Sequence, residues 1–155
     1  MTVPKLRFKE FDEGWSTSKI EEIAIVTSGG TPSRANERYW AGDIPWVTTS
    51  LVDFNVIQSA EEFITQEGLD NSSAKLFPQN TILMAMYGQG ITRGKVAILG
   101  IDATTNQACA AIKLKTNFDT QFIFQNLMNR YEEIRDLSNG GGQKNLSAGI
   151  IKEVE

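Results

Sequence analysis

Between Ser72 and Lys115 the chain strings Ser72-Ser73-Ala74-Lys75, Met86-Tyr87-Gly88, Gly94-Lys95-Val96-Ala97 and Thr105-Asn106-Gln107-Ala108 along apolar runs. Basic and amide side chains on glycine-hinged loops above a rigid sheet are equipped to hold a polymer by charge and hydrogen bonds. That is binding chemistry rather than bond-making chemistry. The 155 residues include no histidine and one cysteine, Cys109, inside Ala108-Cys109-Ala110-Ala111-Ile112. Without histidine there is no Ser-His-Asp or Cys-His nucleophile, no histidine-ligated metal and no imidazole base. A lone cysteine in an apolar run reads as a buried, inert thiol, and it has no intrachain disulfide partner. Thr27-Ser28-Gly29-Gly30-Thr31-Pro32-Ser33 offers amides and hydroxyls to a phosphate, its paired glycines permitting positive φ. It lacks the lysine and spacing of a nucleotide-binding P-loop.

Net charge is −4, which by itself argues against a nucleic-acid ligand, because phosphate binding is driven by lysine and arginine displacing counterions. The distribution is uneven. Residues 1–70 hold six basic and twelve acidic groups, residues 71–118 hold Lys75, Arg93, Lys95, Lys113 and Lys115 against Asp102, and residues 119–155 hold four basic and six acidic. A positive middle between acidic flanks suits one face meeting phosphate and another meeting a protein; scatter over a solvated surface is the alternative. The apolar and charged fractions, 41% and 22%, are those of an ordinary globular chain. No run approaches the roughly 20 apolar residues of a membrane helix, and the acidic start lacks a signal-peptide core, so a cytoplasmic location and no membrane contact are expected.

These side chains need elements to position them. Residues 1–14 read as an extended leader whose Leu6, Phe8 and Phe11 dock on the body, followed by a short helix over Ser16–Ile23 with Glu21 or Glu22 near its positive end. Ile44–Thr49 reads as a strand beginning beside Pro45, with Trp46 in the core. Thr65 caps a helical turn ending at Asn71-Ser72-Ser73. Thr81–Tyr87 reads as a strand covered on both faces, Gly94–Gly100 as a second and Ala111–Lys115 as a third with one wet face; Gly88–Arg93 forms a hairpin-like tip. Phe124, Leu127, Tyr131 and Ile134 recur at helical spacing, and Ser147 caps a last turn. Strands first and a helix after predict the α+β class: one compact domain, a mixed, mostly antiparallel twisted sheet, one main helix (about 120–138) and short helices.

With those residues in view, the chain resembles the amino-terminal target recognition domain of the specificity (S) subunit of type I restriction-modification systems. The resemblance is carried, in order, by Trp15 with Ile20-Glu21-Glu22-Ile23, Ser28–Ser33, Tyr39-Trp40 with Gly42–Val47, Gly68-Leu69 with Ser72–Lys75, Met86-Tyr87-Gly88 with Gly94-Lys95, Thr105–Ala108 and Gln143–Ser147. It implies a subunit that performs no chemistry, binds one half of a bipartite double-stranded DNA target, and brings methyltransferase (M) and, through them, restriction (R) subunits to it. Cofactors are implied for those partners alone: S-adenosylmethionine, ATP and Mg. It further implies that residues 1–155 are one recognition domain, that 143–155 begin the connection to a spacer helix, and that pairing with a second recognition half is possible.

Members of such a family read different sequences, so shared motif residues build the fold, hold phosphates or meet the methyltransferase, and base readers sit where the motifs are silent. The expected base readers are therefore Arg34, Asn36 and Arg38, then Asp53 and Asn55, then Gln89, Thr92 and Arg93. An alternative for Arg34 and Arg38 is surface pairing with Glu37 or Asp43. Expected phosphate contacts are Thr31, Ser33, Lys75, Lys95 and Lys144, point charges and hydroxyls that fix register without reading bases. Tyr87 is expected in the core rather than stacking on a base, and Asn106-Gln107 in a buried amide network. Two other readings stand beside this one: a protein-interaction domain that never touches DNA, which suits the acidic total, and a fragment of a DNA methyltransferase or nuclease, whose glycine motif, Asn-Pro-Pro-aromatic motif or carboxylate cluster the sequence lacks.

Overall fold

The apolar runs form the centre of the molecule. A computed structural model describes residues 6–88, 91–139 and 145–155. Its larger sheet has five strands in the order β1 (Ala24–Ser28), β8 (Cys109–Leu114), β5 (Ile82–Ala85), β6 (Val96–Leu99) and β3 (Val56–Ile57). All pairs are antiparallel except β6 with β3. Three further strands form a second sheet, β4 (Glu62–Ile64), β2 (Trp40–Val47) and β7 (Thr104–Thr105), with β2 antiparallel to β4 and parallel to β7. The expected α+β class is observed, with the sheet divided in two.

Alternation along the large sheet separates its two covers. Val26, Ile82, Met84, Val96, Ile98, Ala110 and Ile112 face the helices, while Leu83, Ala85, Ala97, Leu99, Cys109 and Ala111 face Val47, Val52, Phe77 and Ala103. All of β5 is buried, as an apolar run without polar alternation requires. Each fully buried Ile, Leu or Met contributes about 1.5–3 kcal/mol.

The helical cover consists of α1 (Ile20–Ile23), α3 (Thr120–Asn129), α4 (Tyr131–Asp136) and α5 (Ala148–Lys152), which bury Ile20, Ile23, Phe124, Leu127, Ile134 and Ile151. The helix expected over 120–138 is divided at Arg130, whose backbone (φ −98°, ψ 18°) lies outside the helical basin. Side chains open these helices where the sequence placed hydroxyls and carboxylates: Asp119 accepts from Phe122 N at 2.7 Å, Ser147 from Ile150 N at 3.1 Å, and Glu22 from Lys19 N at 2.9 Å. On the small sheet, Thr65 caps α2 (Gln66–Asp70) by accepting from Gly68 N at 3.1 Å. Strand β2 starts at Trp40, before Pro45, which is tolerated because β7 pairs only with Trp46 and Val47.

The leader corrects its expectation. Leu6, Phe8 and Phe11 are exposed, Leu6 by 92%, and it is Trp15 that docks, stacking on Phe122 with ring centroids 5.3 Å apart.

Candidate nucleic-acid interface

Strand register gathers the motif loops at one end of the large sheet. Ser28 pairs with Ala110, Met84 pairs with both Ala110 and Val96, and Phe54 N donates to Val96 O at 2.8 Å. Gly29, Ala108, Tyr87, Lys95 and Asp53 therefore all lie beyond the same edge, here called the upper end.

Its first component is a joint between the two sheets. Gly29 N donates to Cys109 O at 3.3 Å and Gly30 N to Thr105 O at 2.8 Å, while Trp46 Nε1 donates to Gly30 O at 3.0 Å. A Cβ on Gly29 would stand 2.0 Å from Thr105 O, and one on Gly30 would stand 2.3 Å from Ser73 Oγ. The glycines are thus required by close approach; positive φ occurs instead at Gly88 and Gly94. Because both amides bind carbonyls, the loop does not offer them to a phosphate. Around the joint, Thr31 Oγ1 donates to Gln107 Oε1, Lys75 Nζ reaches Ser28 O at 3.4 Å, and Asn106 Oδ1 accepts from Ala108 N at 3.1 Å. Asn106 is half-buried in this turn and Gln107 is exposed, so the expected amide network reduces to these contacts.

The second component is a pair of tips. Lys95, with only 14% of its side chain exposed, binds Asp53 Oδ1 at 2.6 Å, and Asn55 Oδ1 accepts from Asp53 N at 3.0 Å. Between them Phe54 adopts φ 55°, a conformation that costs a bulky residue about 1–3 kcal/mol and needs support. Across from it, residues 91–94 form a turn in which Lys95 N donates to Thr92 O at 3.1 Å. Tyr87 is 42% exposed and Ile91 66%, so Tyr87 is not the core residue expected.

A third group lies beside the small sheet. The Arg34 guanidinium stacks 3.7 Å from the Trp40 ring centroid and 4.9 Å from that of Trp46, and pairs with both oxygens of Glu62. That hydrogen-bonded pair holds the Glu62 carboxyl below the usual carboxylate range and raises Arg34. Arg38 pairs with Glu67 at 3.1 Å, and Asn36 Oδ1 accepts from Arg38 N at 3.2 Å, capping the turn Glu37–Tyr39.

Residues 12–155 match the family described as the type I restriction modification DNA specificity domain. The chain belongs to that family. It is 32% identical to the MjaIX type I restriction enzyme specificity subunit of Methanocaldococcus jannaschii, over 96% of this chain and 36% of the relative. Identity to the EcoR124I/EcoR124II specificity subunit of Escherichia coli is 30%, over 83% and 32%. Among solved structures it is similar to an HsdS subunit from Thermoanaerobacter tengcongensis, with TM-score 0.66 and 11% identity over 98% of this chain and 34% of that one. An S subunit from M. genitalium gives TM-score 0.65 and 17% identity over 99% and 36%. The chain therefore spans about one third of the length of these relatives.

Within this specificity domain the proposed base readers separate into two groups. Asp53, Asn55, Thr92 and Arg93 stand together at the tips, and Arg34, Asn36 and Arg38 beside the small sheet; Gln89 lies outside the described residues. Of the proposed phosphate contacts, Thr31 and Lys75 each bond a residue of the joint (Gln107 and Ser28), Ser33 is exposed with its carbonyl accepting from Trp40 Nε1, Lys95 lies at the tips, and Lys144 is outside the described residues.

The positive middle of the sequence does not form one face. Lys113 pairs in register with Ile25, and Lys115 Nζ binds Glu22 O at 2.6 Å, both at the lower end of the large sheet. Nearer the loops, Lys95, Arg34 and Arg38 each carry an acidic partner. Pairing was foreseen for Arg34 and Arg38 with Glu37 or Asp43; the partners are Glu62 and Glu67, brought close by β4 and α2. Sequence reasoning missed Glu62, Phe54 and the polar end of Tyr131. Only Tyr131 left a signal, an arginine one helical turn later at Arg135.

Proposed function

We propose that this chain is a target recognition domain that reads one half of a bipartite double-stranded DNA target for a type I restriction-modification complex. The observation that carries the reading is the family match over residues 12–155, joined to a fold that holds Gly29, Gly30 and Trp46 in a rigid joint and leaves Asp53, Asn55 and Ile91 exposed at the tips, with Thr92 and Arg93 half-buried beside them. On this reading the domain catalyses nothing and carries no cofactor of its own. Methyltransferase subunits, with S-adenosylmethionine, and restriction subunits, with ATP and Mg, supply the chemistry in the cytoplasm. Residues 1–155 act as one recognition unit, with 143–155 beginning the connection to a spacer helix, and the unit pairs with a second recognition half.

Base choice falls to Arg93, Thr92, Gln89, Asp53 and Asn55 at the tips, to Asn36, and to Arg34 and Arg38 where they can exchange a carboxylate partner for a base edge. Register falls to Thr31, Ser33, Lys75, Lys95 and Lys144. The acidic partners of Lys95, Arg34 and Arg38 favour one alternative, a domain that binds only protein. A mobility shift with the assembled complex across a salt series decides: affinity for the duplex falling steeply with added salt supports the DNA reader, and assembly without salt-sensitive duplex binding supports the alternative.

A further inference from the structure

The two tips of the upper end converge on one tyrosine. Tyr131 donates its hydroxyl hydrogen to the Ile91 carbonyl, and Arg135 Nη1 donates to the same hydroxyl at 2.9 Å. Its ring meets Phe54 edge to face, with centroids 5.3 Å apart at 88°. Phe54 is the positive-φ residue at the centre of the Asp53–Asn55 tip, so this contact supports a strained conformation. The other tip closes at Gly94, where an added Cβ would stand 3.3 Å from Arg135 Cβ and 3.5 Å from the Tyr131 ring. The Lys95–Asp53 pair ties the tips together again, with Lys95 Nζ 5.7 Å from the Phe54 ring centroid.

From this geometry, and resting on the DNA-reading function above, we infer that Tyr131 is a positioning residue for target choice. It fixes the Asp53–Asn55 and Ile91–Lys95 tips relative to each other, so they present to the duplex as one unit. Tyr131 need not touch DNA. Its hydroxyl fixes where the main chain at Ile91 lies and hence where Thr92 and Arg93 point, and its ring fixes Phe54 and hence Asp53 and Asn55. Removing the hydroxyl frees the Ile91–Lys95 tip; removing the Phe54 contact frees the Asp53–Asn55 tip. Loosening a reader costs discrimination before it costs affinity, because correct and incorrect bases are separated only while donors are held in register.

The test uses the complex assembled around this chain, methylating a library of duplexes randomised across the target, with Tyr131→Phe, Phe54→Leu and Arg93→Ala compared. Tyr131→Phe keeps the ring and loses the hydroxyl. Expected is a relaxation of base preference of about two- to tenfold, the worth of one hydrogen bond. It should fall on the positions that Arg93→Ala alters, with the preferred duplex still methylated and the thermal midpoint near native. Phe54→Leu should relax preference at adjoining positions. If Arg93→Ala changes base preference while Tyr131→Phe leaves it unchanged, or lowers methylation of all sequences equally, the positioning role is overturned and the reading function stands. If neither changes base preference, both fall.

Discussion

Gly29 shows how little room the joint leaves. Any side chain there meets the Thr105 carbonyl, a backbone atom that cannot rotate away, so Gly29→Ala should destabilise the fold by about 1–3 kcal/mol in denaturant unfolding. Glu62 offers a test of sign. Its pairing with Arg34 holds the folded-state pKa below the unfolded value, so the pair's contribution is present above the ordinary carboxylate range and is lost as pH falls through the lowered folded-state pKa. Comparing the chain with Glu62→Gln should therefore show a stability difference of about 0.2–1 kcal/mol at neutral pH that vanishes in acid, a small value because both side chains are well exposed. Cys109 is inert for a different reason: burial pushes its thiol up to about 11, with a hydrogen bond to Thr105 only partly opposing. That inertness was legible from the alanines and isoleucine around it. The Arg34–Glu62 pair was not, because a partner 28 residues away is set by β2 lying beside β4 rather than by any local pattern.

At the scale of elements, the long apolar runs announced themselves, and so did the capped turns at Thr65 and Ser147. Strands β3 and β7, two residues each, exist only because longer neighbours pair with them, and no local signal marks such strands. Strand β1 follows α1 without an intervening turn, which hid its alternation. The break at Arg130 carries no glycine or proline; its guanidinium instead binds Glu133, three residues on. At the tips the proposed roles are separable. Arg93→Ala should change which duplexes the assembled complex methylates while assembly is unaffected. Lys95→Ala should weaken binding about equally for all sequences, measured as affinity over a set of related duplexes. A change of base preference with Lys95→Ala would contradict its phosphate role.

For the whole molecule, the segmental charge count overstated the positive face because sequence proximity is not spatial proximity: β8 carries Lys113 and Lys115 away from the end where Lys95 sits. With acidic partners on Arg34, Arg38 and Lys95, the proposed duplex binding would exchange ion pairs rather than fill an open cationic groove. A single recognition domain of net charge −4 should then bind DNA weakly alone and gain affinity when linked to further modules, as titration of the isolated chain against the assembled complex would show. Target selection by the upper end is tested most directly by mapping methylated sites across the genome of cells carrying either the native chain or its Arg93→Ala variant. The expected result is a methylation motif altered in one half and retained in the other. An identical motif in both strains, with methylation intact, would contradict it.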